Sequence, residues 1–184
     1  MKPRFNQAKT AQVAGRFLKL AGGQMYYMLL IKLMYITDRA ALISWGRPLT
    51  WDSYVSMPHG PVLSATLDLI NEGPTLGRED SPWHKLITRH RDPYQVKLKS
   101  EPPDEELSEA EEELIAKVFE KYGRMNRYTL RDMLHQVLPE WKDPQGSSLP
   151  IEYRDILAAG KKTPQEIAEI ESEIEGVAML DALA

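Results

Sequence analysis

Small apolar residues recur at helical spacing through Ala8, Ala11, Ala14, Phe17 and Leu18, which predicts a first helix over Asn6 to Leu20, stopped by Gly22-Gly23. From Gln24 to Trp45 the pattern changes. Over Met25 to Ile36 apolar positions surround the helical axis instead of lining one side, the mark of a long central helix buried all round. Gly46 is placed to end it in the left-handed conformation. Thr50 to Met57 has β-branched and aromatic residues at alternate positions and reads as a short extended segment. Pro58 and Pro61 bracket His59-Gly60 in a rigid corner that no helix can cross. With Pro61 at a first helical position, Val62, Leu63, Ala65, Thr66, Leu69 and Ile70 form the apolar side of a third helix, stopped by Gly73-Pro74.

Polar residues fill Thr75 to Pro82, a loop. Beyond it Leu86-Ile87-Thr88 and Tyr94 to Leu98 flank the turn residues Asp92-Pro93 and predict a β-hairpin. Two prolines and four acids make Ser100 to Leu107 a solvated connector. Ser108 then caps a helix to Tyr122, with Glu111 in the capping-box position and Leu114, Ile115, Val118, Phe119 and Tyr122 on one face. Gly123 ends it. A further helix over Tyr128 to Val137 presents Leu130, Met133, Leu134 and Val137 and breaks at Pro139. After a loop from Pro144 to Pro150 and a short helix over Ile151 to Leu157, Thr163-Pro164 opens an acidic amphipathic helix reaching the C-terminus. Its stripe of Ile167, Ile170, Ile174, Val177 and Ala178 requires a surface to bury against. The expected fold is mainly α (α+β): a compact helical domain with a small β-hairpin insertion and a C-terminal amphipathic helix. All 184 residues fit one domain, with a core over about 24–142 and a helical extension over 143–184.

Charge refines this picture. Residues 1–100 carry 14 Lys and Arg against 7 Asp and Glu, whereas residues 101–184 carry 9 against 20. A basic half and an acidic half either seat different partners or attract each other within one fold, and the second reading needs no partner. The chain has no cysteine, so disulfides and thiolate metal sites are excluded, in keeping with a reducing, cytoplasmic setting. No apolar run approaches the roughly 20 residues of a membrane span, and no signal peptide is legible at the start. A soluble protein with no membrane partner is expected.

Candidate chemistry is sparse. Four histidines, at 59, 84, 90 and 135, show no metal-ligand spacing. His59 reads as a turn side chain bonded to backbone, with a partner contact as the alternative, and His135 as a satisfied imidazole on an apolar face. Asp38 and Arg39 are neighbours on a helix and so point about 100° apart. Each needs its own partner, and their expected work is to hold the Gly46 to Asp52 crossing or the hairpin by charge-assisted hydrogen bonds. The acidic runs 104–106 and 111–113 read as solvated surface. No nucleophile elbow, phosphate loop or dinucleotide fingerprint is present, so no enzymatic activity and no cofactor is expected. Lys9 and Arg16 share a helix face that can neutralise phosphates, although a pI of about 5.6 argues against a dedicated nucleic-acid binder.

Several short motifs coincide with one family. Met34-Tyr35-Ile36-Thr37-Asp38-Arg39, then Gly46-Arg47-Pro48, then Tyr54-Val55-Ser56-Met57-Pro58-His59-Gly60-Pro61-Val62 stand in order. Far along the chain His135-Gln136-Val137-Leu138-Pro139-Glu140-Trp141 matches a His-x-x-x-Pro-x-Trp close. This arrangement resembles the Panacea domain of the SocA-like antitoxins, which are prophage- and plasmid-associated, and the resemblance runs roughly from Gln24 to Trp141. It implies the antitoxin of a toxin-antitoxin system, neutralising a cognate protein toxin by direct binding. It also implies alternatives: an adaptor that delivers the toxin to the ClpXP protease, or an autoregulator that binds operator DNA. Tyr35, Asp38, Arg39, Gly46, Pro48, Gly60, Pro61, His135, Pro139 and Trp141 are the signature residues, expected mostly to build the scaffold. The toxin-binding surface is not legible.

Overall fold

A computed structural model describes residues 2–72 and 80–183. Among them are eight helices and two three-stranded antiparallel sheets, a mainly α fold with a small β part, as expected. Helix α1 (Gln7–Leu20) begins where the Asn6 side chain accepts the Lys9 amide hydrogen bond and ends at Gly22 and Gly23, both at positive φ. That double reversal is where sequence and structure part. The central helix does not start at Gln24: strand β1 (Gln24–Tyr26) comes first, and α2 (Tyr27–Trp45) follows. Strand β1 lies along β5 (Gln95–Leu98), with Met25 opposite Val96, and β5 also pairs with β4 (Ile87–Arg89). The backbone partner of β1 lies some 70 residues away, so no local periodicity announces it.

Helix α2 is the centre of the molecule. Leu30, Leu33, Met34, Tyr35, Ala41 and Leu42 on it have no exposed surface, and it touches α1, α5, α6, α7 and β3. Gly46 closes it at φ 73, the left-handed cap expected of it. The crossing that follows leads into β2 (Tyr54–Met57), the expected extended segment.

The corner at His59-Gly60-Pro61 is a hairpin rather than a helix start. Pro58 and His59 form the turn, β3 (Gly60–Leu63) returns along β2 with Met57 opposite Gly60, and α3 (Ser64–Glu72) begins only at Ser64. Pro61, Val62 and Leu63 therefore belong to a strand. Its position explains why proline is tolerated: β3 is the edge of the sheet β3-β2-β6, where a missing N–H costs no ladder bond. Strand β6 (Leu149–Ile151) supplies the other edge, out of residues read as the end of a loop and the start of a helix.

A short helix, α4 (Pro82–Leu86), occupies the end of the expected loop and takes Leu86 from the expected hairpin strand. The Gly73-Pro74 stop and most of the Thr75 to Pro82 loop lie outside the described residues. Helix α5 (Glu109–Tyr122) carries the full Ser108–Glu111 capping box, and α6 (Arg127–Val137) is capped by Asn126. Helix α7 (Tyr153–Ala159) leads to α8 (Pro164–Leu183). The stripe of α8 is buried on its own chain through Ile174 and Ala178, with Ile170 lying over Gly46. Val177, expected in that stripe, is largely exposed.

The two oppositely charged halves meet. Lys9 pairs with Glu111 at 2.7 Å, Arg16 with Glu112 at 2.7 Å, Lys2 with Glu152 at 3.2 Å, and Lys19 with Glu101. Lys9 and Arg16, whose shared face can neutralise phosphates, are paired with carboxylates of α5.

Candidate functional site

The signature residues assemble around one buried polar layer between α2, the crossing and the segment after α6. Asp38 lies wholly inside it. One of its carboxylate oxygens accepts the backbone amides of Leu49 (2.9 Å) and Thr50 (3.3 Å), and the other accepts the Thr50 hydroxyl and the Tyr54 hydroxyl (2.9 Å). Four donors surround this carboxylate, and among the described residues it has no ion pair. Burial pushes its pKa up to about 6, against the hydrogen bonds that favour the charged form. Asp38 thus ties the central helix to the crossing, one of the two places expected for it, and the hairpin β4–β5 is not involved.

Arg39, next in sequence, turns to a different element. Its Nε donates to Glu140 at 2.6 Å and an Nη donates at 3.4 Å, while the Tyr35 hydroxyl donates to the same carboxylate at 3.0 Å. The Glu140 side chain has no exposed surface. Two signature residues of α2 therefore converge on a residue between Pro139 and Trp141 that the sequence reading passed over. Its one legible signal was an acid placed between a helix-breaking proline and a tryptophan. Tyr35 has its hydroxyl pKa driven well above the ordinary value by burial first and by Glu140 second.

A second overlooked carboxylate performs the equivalent task at the far end of the crossing. Asp52 accepts the amides of Ala65 and Thr66 at 2.9 Å each, together with the Thr66 hydroxyl at 2.7 Å. It thereby caps the free N–H groups at the start of α3 from outside the helix. Its backbone carbonyl accepts the Tyr153 hydroxyl at 3.0 Å, which docks α7. Between Asp38 and Asp52, Trp51 sits at φ 56, an uncommon conformation for a bulky residue. The rings of Tyr35, Tyr54, Tyr153 and Trp51 form a continuous aromatic row beside these bonds, with centroids 5.4–6.5 Å apart.

The family-type close packs on the β2–β3 hairpin. Trp141 donates its indole N–H to the Met57 carbonyl at 3.1 Å, and the His135 ring stacks on Trp141 at 3.8 Å with 6° between planes. His135 is half-buried and stacked, and among the described residues its Nε2 has no hydrogen-bond partner, so this nitrogen is not satisfied as expected. Burial, then the Lys32 and Arg131 charges, lower its pKa. His59 is exposed on its turn. Pro48 is buried in the crossing, while Pro139 is exposed.

Lys32 is the least anticipated member. It interrupts the all-apolar stretch of α2, is 1 % exposed, and donates its ammonium to the Pro61 carbonyl at 2.7 Å. Burial first and Arg131 second bring its pKa down to about 7. Gly60 is fitted against it: at φ +94, a Cβ there would lie 3.1 Å from the Lys32 ammonium and 3.4 Å from His135 Nε2. Gly60→Val is therefore expected to lower stability by about 2–4 kcal/mol, from backbone strain together with crowding. Urea denaturation measures it, and an unchanged midpoint would contradict this account of the turn.

Among the described residues no three His, Cys, Asp or Glu side chains are gathered to hold a metal ion, and no helix is long and apolar enough to cross a membrane. No curated protein and no solved structure matches the chain. A family model described as "Antitoxin SocA-like, Panacea domain" matches residues 30–142. That span runs from the first turn of α2 to just past Trp141 and so contains Asp38, Glu140 and the crossing they secure. On this match over more than half its length, the chain belongs to the SocA-like antitoxin family and carries the Panacea domain.

Proposed function

We propose that this protein neutralises a cognate protein toxin by direct contact and catalyses no reaction. Membership of the antitoxin family is the observation that carries this reading. It is supported by the way the signature polar groups are used. Tyr35, Asp38 and Arg39 face inward onto Glu140, Thr50 and Tyr54, so their hydrogen-bonding capacity is directed to the chain itself. Such a layer fixes the relative position of α2, the crossing and the end of α6, and a rigid platform loses little entropy when it binds. Operator DNA has less in its favour, since Lys9 and Arg16 of α1 are held by Glu111 and Glu112.

Co-expression with the product of the neighbouring gene tests the proposal. The neighbour is expected to arrest growth alone, and growth is expected to return when this protein is present, with the two purifying as a complex. A neighbour that is harmless by itself, or still lethal in company, would remove the reading. Recovery of growth with the toxin degraded rather than held in a complex would point to delivery to a protease.

A further inference from the structure

A groove of about 360 Å³ opens where α2, α5 and α6 meet on the outer side of the molecule. Ile36 from α2, Tyr122 from α5 and Met133 from α6 are only partly buried in its walls, and Val137, 55 % exposed, stands at its mouth. One exposed valine needs no explanation, but incompletely covered apolar side chains from three helices around one concavity form a site.

The charges around it have one sign. Arg39, Lys117 and Lys121 are the charged residues among the described groups lining the groove, and no carboxylate lines it. This runs against the local composition, since residues 101–184 carry 20 acids against 9 bases. The cations are unequally engaged. Arg39 is held by Glu140, whereas Lys117 meets Glu113 at 3.7 Å, both largely exposed, and Lys121 lies over the Tyr122 ring at 5.0 Å. Exposed contacts of that kind hold a lysine weakly and leave it able to meet a partner's charge.

We infer that this groove receives an amphipathic helix of the toxin, apolar on its inserted face and flanked by Asp or Glu. The inference rests on the antitoxin reading and locates its contact surface. An apolar floor anchors such a helix through residues at i, i+3, i+4 and i+7, and a one-sign cationic rim selects and steers acidic flanks. All three helices lie almost wholly within the family match, whereas α8, the other amphipathic element, lies beyond it and has Ile174 and Ala178 of its stripe buried on its own chain.

The experiment uses the full-length chain and the product of the neighbouring gene as probe, reading both growth rescue and the dissociation constant of the purified pair. Val137→Glu and the double variant Lys117→Glu/Lys121→Glu change exposed side chains, and thermal denaturation checks that each stays folded. Lys97→Glu, an exposed reversal that does not line the groove, is the control. Wild type and control are expected to rescue growth, while each groove variant loses rescue and weakens binding at least tenfold. Binding within twofold of wild type for both groove variants overturns the groove and leaves the antitoxin reading standing. A loss confined to Val137→Glu overturns the acidic partner. If the groove variants instead break up a self-assembled form without altering rescue, a second copy occupies the groove and the inference is wrong. Failure of wild type to bind or rescue removes the antitoxin reading, and the inference with it.

Discussion

Asp38→Ala is expected to be the most damaging single change in this protein, costing about 3–5 kcal/mol. The loss does not come from the charge. A carboxylate this deeply buried, with no ion pair among the described residues, is itself held at a cost, which the rise of its pKa from 3.8 to about 6 expresses. Alanine removes that cost but strands four donors: the amides of Leu49 and Thr50 and the hydroxyls of Thr50 and Tyr54. Each buried donor left unpaired costs about 1–3 kcal/mol, so the sum exceeds the relief. Asp38→Asn separates the two effects. Its amide oxygen keeps the backbone bonds, while its NH2 group cannot accept the Thr50 and Tyr54 hydroxyls and that loss offsets the relief of the buried charge, so it is expected to stay within about 1 kcal/mol of wild type at pH 7.

The pH dependence carries the same signature. The native chain binds the Asp38 proton more tightly than the unfolded chain does, so this group favours folding most below about pH 4. That contribution falls as pH rises towards 6, by about 3 kcal/mol in all. Urea denaturation across this interval should show the decline in wild type and its absence in Asp38→Asn. Equal slopes for the two proteins would contradict the assignment.

Lys32→Met is expected to have the second largest effect, with the opposite sign: a gain of about 3 kcal/mol at pH 6. The folded-state pKa of Lys32, about 7, lies below its ordinary 10.5. Between these values the unfolded chain binds more protons, so wild-type stability rises with pH through this window, and the cost of the buried ammonium is complete below pH 7. Charge repulsion from Arg131 adds to desolvation. Methionine fills a similar volume without the charge and gives up only the bond to the Pro61 carbonyl, worth about 1 kcal/mol. The gain should therefore shrink almost to nothing by pH 10. Thermal unfolding at pH 6 and pH 10 checks both the sign and the trend, and a loss of stability at pH 6 would show that the Pro61 bond outweighs desolvation. A buried lysine kept at such a cost fixes where the β2–β3 hairpin sits on α2.

Where an element is stabilised by its own neighbours in sequence, the sequence was enough. Helices α1, α5, α6 and α8, the cap at Gly46, the Ser108–Glu111 box and the β4–β5 hairpin all follow from caps, periodicity and turn residues within a few positions of each other. So did the family, because its motifs are contiguous short words. That Asp38 and Arg39 require separate partners also followed from helical geometry alone. The β1 and β6 strands and the true start of α3 did not follow, since each depends on a backbone partner distant in the chain. The same holds for the polar layer. Nothing near Glu140 in sequence reveals that Tyr35 and Arg39 stand above it, and nothing near Asp52 reveals the exposed N–H groups of α3. A buried charge is tolerated only where donors converge on it, and that convergence exists once the chain has folded. The sequence by itself thus determined the elements and the lineage, whereas tertiary packing alone decided which polar residues became internal fasteners and which apolar ones were left facing outward.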